Sequence, residues 1–255
     1  MDEFTAPLAE PGPGQTPKPR GPWGPWASIG WTVLGAVVLL GTQVAVLVVF
    51  VIALILTNPK ANFQGLLVDG RVVAVATLVS APLIVGLTAL LARVRGWRVA
   101  AYLALRPAPN GALLAAALGL AVGLLGSDGL TSWLGRPVVD PFMADLLLSA
   151  PLWLISLALV VGAPIAEEIL FRGFLYRGLA ESPRFGPGMA IGITALGWAG
   201  MHVQYDLYGV ATVYLMGLYL GLIRHWTGST LATILLHALA NAVATAEAVY
   251  LVQPG

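Results

Sequence analysis

Cysteine is absent from this chain of 255 residues. Disulfides, thiolate metal ligands and a cysteine nucleophile are therefore excluded. Charge is almost as scarce. Only 10% of residues are Asp, Glu, Lys or Arg, where a soluble domain carries roughly 25%. The formal net charge of +1 leaves no basic surplus for a nucleic-acid partner. No polar stretch is long enough to fold as a separate soluble domain. The sequence also lacks His-Glu-x-x-His, which excludes the usual zincin helix, and a P-loop lysine motif. There is no Gly-x-Ser-Gly and no Gly-x-Gly-Asp of the kinds that carry serine and aspartyl intramembrane chemistry. No internal repeat is visible, which counts against the repeat architecture of many transporters.

What remains is largely apolar: 58% hydrophobic residues and a mean hydropathy of +0.85, the composition of a chain that lives in lipid. A membrane helix needs roughly 17–25 mostly apolar residues, which places spans at about 30–56, 72–92, 110–127, 147–180, 188–205, 207–224 and 229–251. The fold expected is all-α, a polytopic transmembrane helix bundle of about seven spans, six to eight, with its site inside the bundle. The stretch 147–180 exceeds one span, and Gly162 with Pro164 predicts a kink there. Residues 1–27, rich in Pro and Gly, read as a disordered tail whose Trp23 and Trp26 mark the lipid–water boundary.

Charge at the span ends alternates. Lys18 and Arg20, then Arg93, Arg95, Arg98 and Arg106, then Arg177 and Arg184, then Arg224 fall on one side. Lys60, Arg71 and Arg136 share the other with Asp69, Asp128, Asp140, Asp145 and Asp206. The positive-inside rule then predicts a cytoplasmic N-terminus and an external C-terminus.

Against this apolar background a few polar groups stand out, and ionisable side chains at membrane depth are functional candidates by default. Glu168 and Arg172 are four apart, acid first, so they share one helix face and can pair. Glu167 points about 100° away and has no sequence-local partner, which suits a carboxylate for proton transfer. The plainer alternative is one structural ion cluster. His202 sits in Gly197-Trp-Ala-Gly-Met-His202, late in the fifth predicted span, either as a site residue or as a histidine satisfied by a carbonyl or tyrosine. His237 and Asn241 project from one face of the last span, as interhelical glue or as donors toward an oxyanion. His225 follows Arg224 at a helix end and reads as a cap outside the site. Three separate spans each carrying such groups favour one shared site.

The set Glu167-Glu168-x-x-x-Arg172, Trp198-x-x-x-His202 and His237-x-x-x-Asn241, over about residues 145–245, resembles the three motifs of the CAAX prenyl protease and bacteriocin-processing (CPBP) membrane protease family. Trp198 stands where that family more often has Phe, an aromatic for an aromatic. The resemblance implies an intramembrane endopeptidase that attacks a peptide bond with activated water. It implies Glu167 as general base, His202 as a holder of the water, and His237 with Asn241 as oxyanion stabilisers. Glu168 and Arg172 would brace the site. Glu167, His202 and His237 could also form a zinc set with an open position, so the cofactor is either none or one zinc ion. Asn241 as an oxyanion donor tilts the choice toward no metal. The chain would divide into a tail 1–27, N-terminal transmembrane helices 28–143 and a C-terminal catalytic core 144–255. Its partners would be membrane lipid and a peptide or membrane protein, prenylated or not. The location implied is a multi-pass protein of the bacterial inner membrane. The rivals are a non-proteolytic scaffold or immunity protein of the same fold, and a proton-coupled transporter using the same groups as a relay.

Overall fold

The computed structural model describes residues 20–58 and 65–252. Of the predicted tail, residues 1–19 lie outside the described residues. All regular structure among the described residues is helical. The main helices are α1 (Pro25–Thr57), α2 (Gly70–Val94), α3 (Asn110–Trp133), α4 (Pro141–Ser149), α5 (Leu152–Ala180), α6 (Gly186–Ala199), α7 (Leu207–Thr227) and α8 (Thr230–Val252). Six of them, all but α4 and α6, are long and apolar enough to cross a membrane. The chain is thus an integral, multi-pass helical bundle. The fifth predicted span is the one that differs. Its helix stops at Ala199 after 14 residues, about 21 Å of rise, and residues 200–206 return as turns. His202 therefore sits beyond the helix, in the connection to α7, rather than late in a span.

The basic loops do converge. Residues 20–24, which composition alone assigns to the tail, are pinned: Arg20 N–H donates to Arg95 O at 3.1 Å, and the Trp23 and Trp97 indoles donate to Leu91 O and Arg20 O. Arg177 donates to Ala101 O and Tyr102 O, and Arg106 to Gly228 O. At the opposite ends, three of the five aspartates grouped by charge are helix N-caps. Asp69 accepts from Arg71 N–H, Asp140 from Phe142 N–H and Asp206 from Gly209 N–H, filling donors that a helix start leaves open. The Gly209 N–H and the ion pair with Arg136 hold the Asp206 carboxyl below the usual carboxylate range.

Two close approaches position the C-terminal half. Gly217 and Gly221, four apart on α7, face Ala195 and Ile191 of α6. A Cβ on Gly217 would lie 3.0 Å from the Ala195 Cβ, and one on Gly221 2.9 Å from Ile191. Small residues at this spacing let two membrane helices touch backbone to backbone. Gly178 of α5 has no room for a Cβ because Ser28 of α1 occupies that space. α1 otherwise turns outward, with Val37, Val44, Val49 and Leu56 exposed as lipid-facing groups should be. The core is centred on α5, α6, α7 and α8, closed by Ile84 of α2 and Leu120 of α3, and includes Leu170, Phe171, Leu179, Trp198, Leu220 and Leu236.

Candidate functional site

The site is built on an irregular helix. Within α5, residues Leu157–Gly162 and Ile169–Leu175 are π-helical, and the single α-helical turn between them, Ala163–Glu168, carries both glutamates. The predicted break at Gly162 and Pro164 is therefore a wide turn that ends at Gly162, and the helix continues to Ala180. Such bulges release carbonyls from the backbone ladder. Ala163 N–H reaches back five residues to Ala158 O. The next nitrogen belongs to Pro164 and has no hydrogen to give, so Leu159 O is left without a helical donor. Asn241 of α8 supplies one, its Nδ2 donating to Leu159 O at 2.7 Å. The second bulge repeats the pattern. Tyr176 N–H bonds Phe171 O, five residues back, and the carbonyl next in line, Arg172 O, accepts from Arg224 Nε at 2.9 Å. A buried carbonyl left unpaired in this bundle would be costly. The two side-chain donors thus hold the α5 irregularities in place.

Glu168 and Arg172 pair as their spacing predicts. Arg172 Nη1 donates to Glu168 Oε1 at 2.8 Å, with both side chains fully buried. Arg172 Nη2 donates to Gly217 O at 3.0 Å, and its guanidinium lies over the Trp198 ring, 4.7 Å from the centroid. The same Glu168 Oε1 is 3.0 Å from His237 Nδ1. A carboxylate against Arg172 accepts, so Nδ1 of His237 carries the proton and Nε2 is the nitrogen turned toward the other glutamate. That nitrogen is 4.0 Å from Glu167 Oε2. The gap is too wide for a direct hydrogen bond and narrow enough for a bridging water.

Glu167 is not free of partners. Trp198 Nε1 donates to its Oε2 at 2.6 Å, a short charge-assisted bond. Trp198 is buried, and its ring meets His237 and His202 edge-on, each with centroids 5.1 Å apart. Reading Trp198 as an interchangeable aromatic misses this donor, which phenylalanine lacks. The signal was the indole nitrogen one helical turn before His202.

The six candidate residues are therefore placed unequally. Glu167, Glu168, Arg172 and His237 meet around Trp198. His202 adjoins from the α6–α7 connection, with Nδ1 2.9 Å from Trp198 O and its ring stacked on Tyr205. Asn241 shares the His237 face, but one of its amide hydrogens is committed to Leu159 O. His225 lies apart against the Tyr176 hydroxyl at 3.0 Å. Among the described residues no three His, Asp or Glu side chains are gathered as metal ligands. The indole N–H takes one lone pair of the Glu167 oxygen that faces His237. As arranged among the described residues, Glu167, His202 and His237 are not gathered as a zinc set.

A fully buried ion pair, with His237 between two glutamates and Trp198 packed against both histidines, lies inside the apolar bundle of a polytopic membrane protein. Residues 149–243, which hold every one of these side chains, match the family model described as Type II CAAX prenyl endopeptidase Rce1-like. The match falls on the segment whose motifs resemble the CAAX-type membrane proteases. No curated protein and no solved structure matches the chain.

Proposed function

We propose that this protein hydrolyses a peptide bond of a membrane-associated peptide or protein, with Glu167 activating the attacking water. The observation that carries this reading is the 4.0 Å separation of Glu167 Oε2 and His237 Nε2. Each group is oriented from behind, Glu167 by the Trp198 indole and His237 by Glu168. A water between them gives a proton to Glu167 while its oxygen attacks the carbonyl carbon. The proton then passes to the leaving amine as the C–N bond breaks, so one carboxylate serves as base and then acid. The Glu167 side chain is 19% exposed and that of Glu168 is fully buried, which divides the roles of the two acids. His202, held through Nδ1, keeps Nε2 for water or substrate. Asn241 is anchored by one amide hydrogen and has the second for the oxyanion. The positive-inside distribution supports a cytoplasmic N-terminus, and the cell envelope we propose is the bacterial inner membrane.

The test is cleavage of a library of membrane-inserted peptides, lipidated and unlipidated, by the purified protein, with new N-termini read by mass spectrometry. Cleavage is expected to survive a strong chelator, since the site as arranged does not form a zinc set. Loss on chelation with rescue by zinc would overturn the metal-free mechanism. Absence of cleavage by a folded sample would favour the scaffold reading.

Trp198→Phe gives a sharper test of the arrangement. It keeps the ring and removes the indole N–H. Hydrogen bonds to charged groups contribute roughly 1.5–3 kcal/mol to stability, so Tm is expected to fall, and kcat about ten-fold as Glu167 loses its fixed orientation. KM should change little. An unchanged kcat would show that the indole does not orient Glu167.

A further inference from the structure

We infer that the protein holds a second ligand site, for a phosphate group, at the end of the bundle where the basic loops converge. A cavity of about 630 Å³ opens there between the α2–α3 connection, the end of α5 and the α7–α8 turn. Its wall carries Arg98, Arg106, Arg177 and Arg224 with a single carboxylate, Glu181. That carboxylate is already paired, 2.8 Å from Arg177 Nε, so the remaining positive charge faces the cavity without a protein counter-ion.

Arg224 is the decisive group. It is only 8% exposed, its Nε is fixed on Arg172 O at 2.9 Å, and its guanidinium lies over the Tyr176 ring, 5.1 Å from the centroid. Among the described residues Arg224 hydrogen-bonds through Nε, and the side chain lines the cavity. Its terminal nitrogens open to that hollow, where an anion can take them in place of water. Arg106 is fixed through Nε on Gly228 O at 2.8 Å, and Arg177 through Nη1 on Ala101 O and Tyr102 O. Arg106 and Arg224, each fixed through Nε, present their terminal nitrogens around one hollow, the geometry by which arginine takes phosphate. The cavity sits where α5 and α7 end, beside the exposed Trp226, at the level expected for lipid headgroups. Basic pockets between membrane helices at this level suit anionic headgroups. The same chemistry would take a free phosphate-bearing solute, so the ligand class is a phosphate group that carries net negative charge, on a lipid or in solution. The cavity adjoins the site helix through the Arg224 bond to Arg172 O, and its ligand binding does not depend on the chemistry at Glu167.

The test uses the full chain purified in a neutral detergent. Native mass spectrometry and thermal unfolding are recorded with added phosphatidylglycerol, with phosphatidylcholine, and with inorganic phosphate. Retention of phosphatidylglycerol over phosphatidylcholine, with a raised Tm, supports the site and assigns the lipid source. Protection by inorganic phosphate alone supports the site and assigns a soluble source. Arg224→Gln should abolish either effect. Arg98→Gln, at an exposed rim position, should leave folding intact and weaken binding about five-fold, the equivalent of roughly 1 kcal/mol per basic side chain at an anionic surface. Binding equal for all three ligands, or unchanged in Arg98→Gln and in a folded Arg224→Gln, would overturn the proposal.

Discussion

Glu167→Gln is expected to lower kcat by roughly 10²–10⁴-fold, the contribution of a positioned general acid–base group. The substitution is nearly isosteric. Its carbonyl oxygen can still accept from Trp198 Nε1, which donates to Glu167 Oε2 at 2.6 Å, so the indole, the histidines and the ion pair need not move. Only the capacity to take a proton from water is removed. KM and Tm should therefore remain close to those of the unsubstituted protein, because an interaction used only on the way to the transition state is lost. Single-turnover cleavage of a substrate peptide and unfolding curves on the same preparation read the two effects separately. If Glu167→Gln keeps full activity, the carboxylate is structural, and the site must activate water through another group. A fall in kcat accompanied by an equal fall in stability would instead mark Glu167 as part of the packing.

The parts of this site that could be read in the sequence are those whose geometry lies within one helix. Glu168 and Arg172 are four residues apart, and a helix brings such a pair together whatever the rest of the fold does. The approach of His237 to Glu168 needs α8 to lie against α5, which no local spacing encodes. Asn241 shows the limit most clearly. Its partner is a carbonyl that exists as a free acceptor only because a π-helical turn meets Pro164. The proline was visible, and a kink could be expected from it. The side chain that would fill the resulting vacancy comes from a helix some eighty positions later. The end of α6 was hidden for a different reason: Trp198, Ala199, Gly200 and Met201 are all apolar or small, so hydropathy continues where the helix does not. There Met201 N–H turns back on Trp198 O and His202 N–H on Ala199 O, which frees His202 from a helical position. Gly217-x-x-x-Gly221 seats α7 on α6. Its consequence, a Gly217 carbonyl within 3.0 Å of Arg172 Nη2, was not legible in the sequence.

Arg172→Met should cost about 3–5 kcal/mol of stability, the usual result of removing one member of a buried pair. Glu168 is fully buried, and its charge would keep the His237 Nδ1 contact at 3.0 Å and the Thr233 hydroxyl, with no cation in its pair. The Gly217 carbonyl loses its donor at the same time, and the Trp198 ring loses the cation above it. The double substitution Glu168→Gln with Arg172→Met discriminates between these losses. It removes the stranded charge while leaving a carbonyl oxygen that can still accept from His237. If the penalty of the single change is mainly an uncompensated carboxylate, the double variant recovers much of the lost Tm, and a double-mutant cycle returns a large coupling energy. If the penalty lies in the Gly217 and Trp198 contacts, the double variant stays as unstable as the single one. Activity supplies the second axis. The recovered double variant should still cleave slowly, because a neutral amide orients the His237 imidazole more weakly than the carboxylate does. Full recovery of both stability and turnover would reduce Glu168 and Arg172 to packing. Recovery of stability without turnover would tie the buried pair to the chemistry through His237.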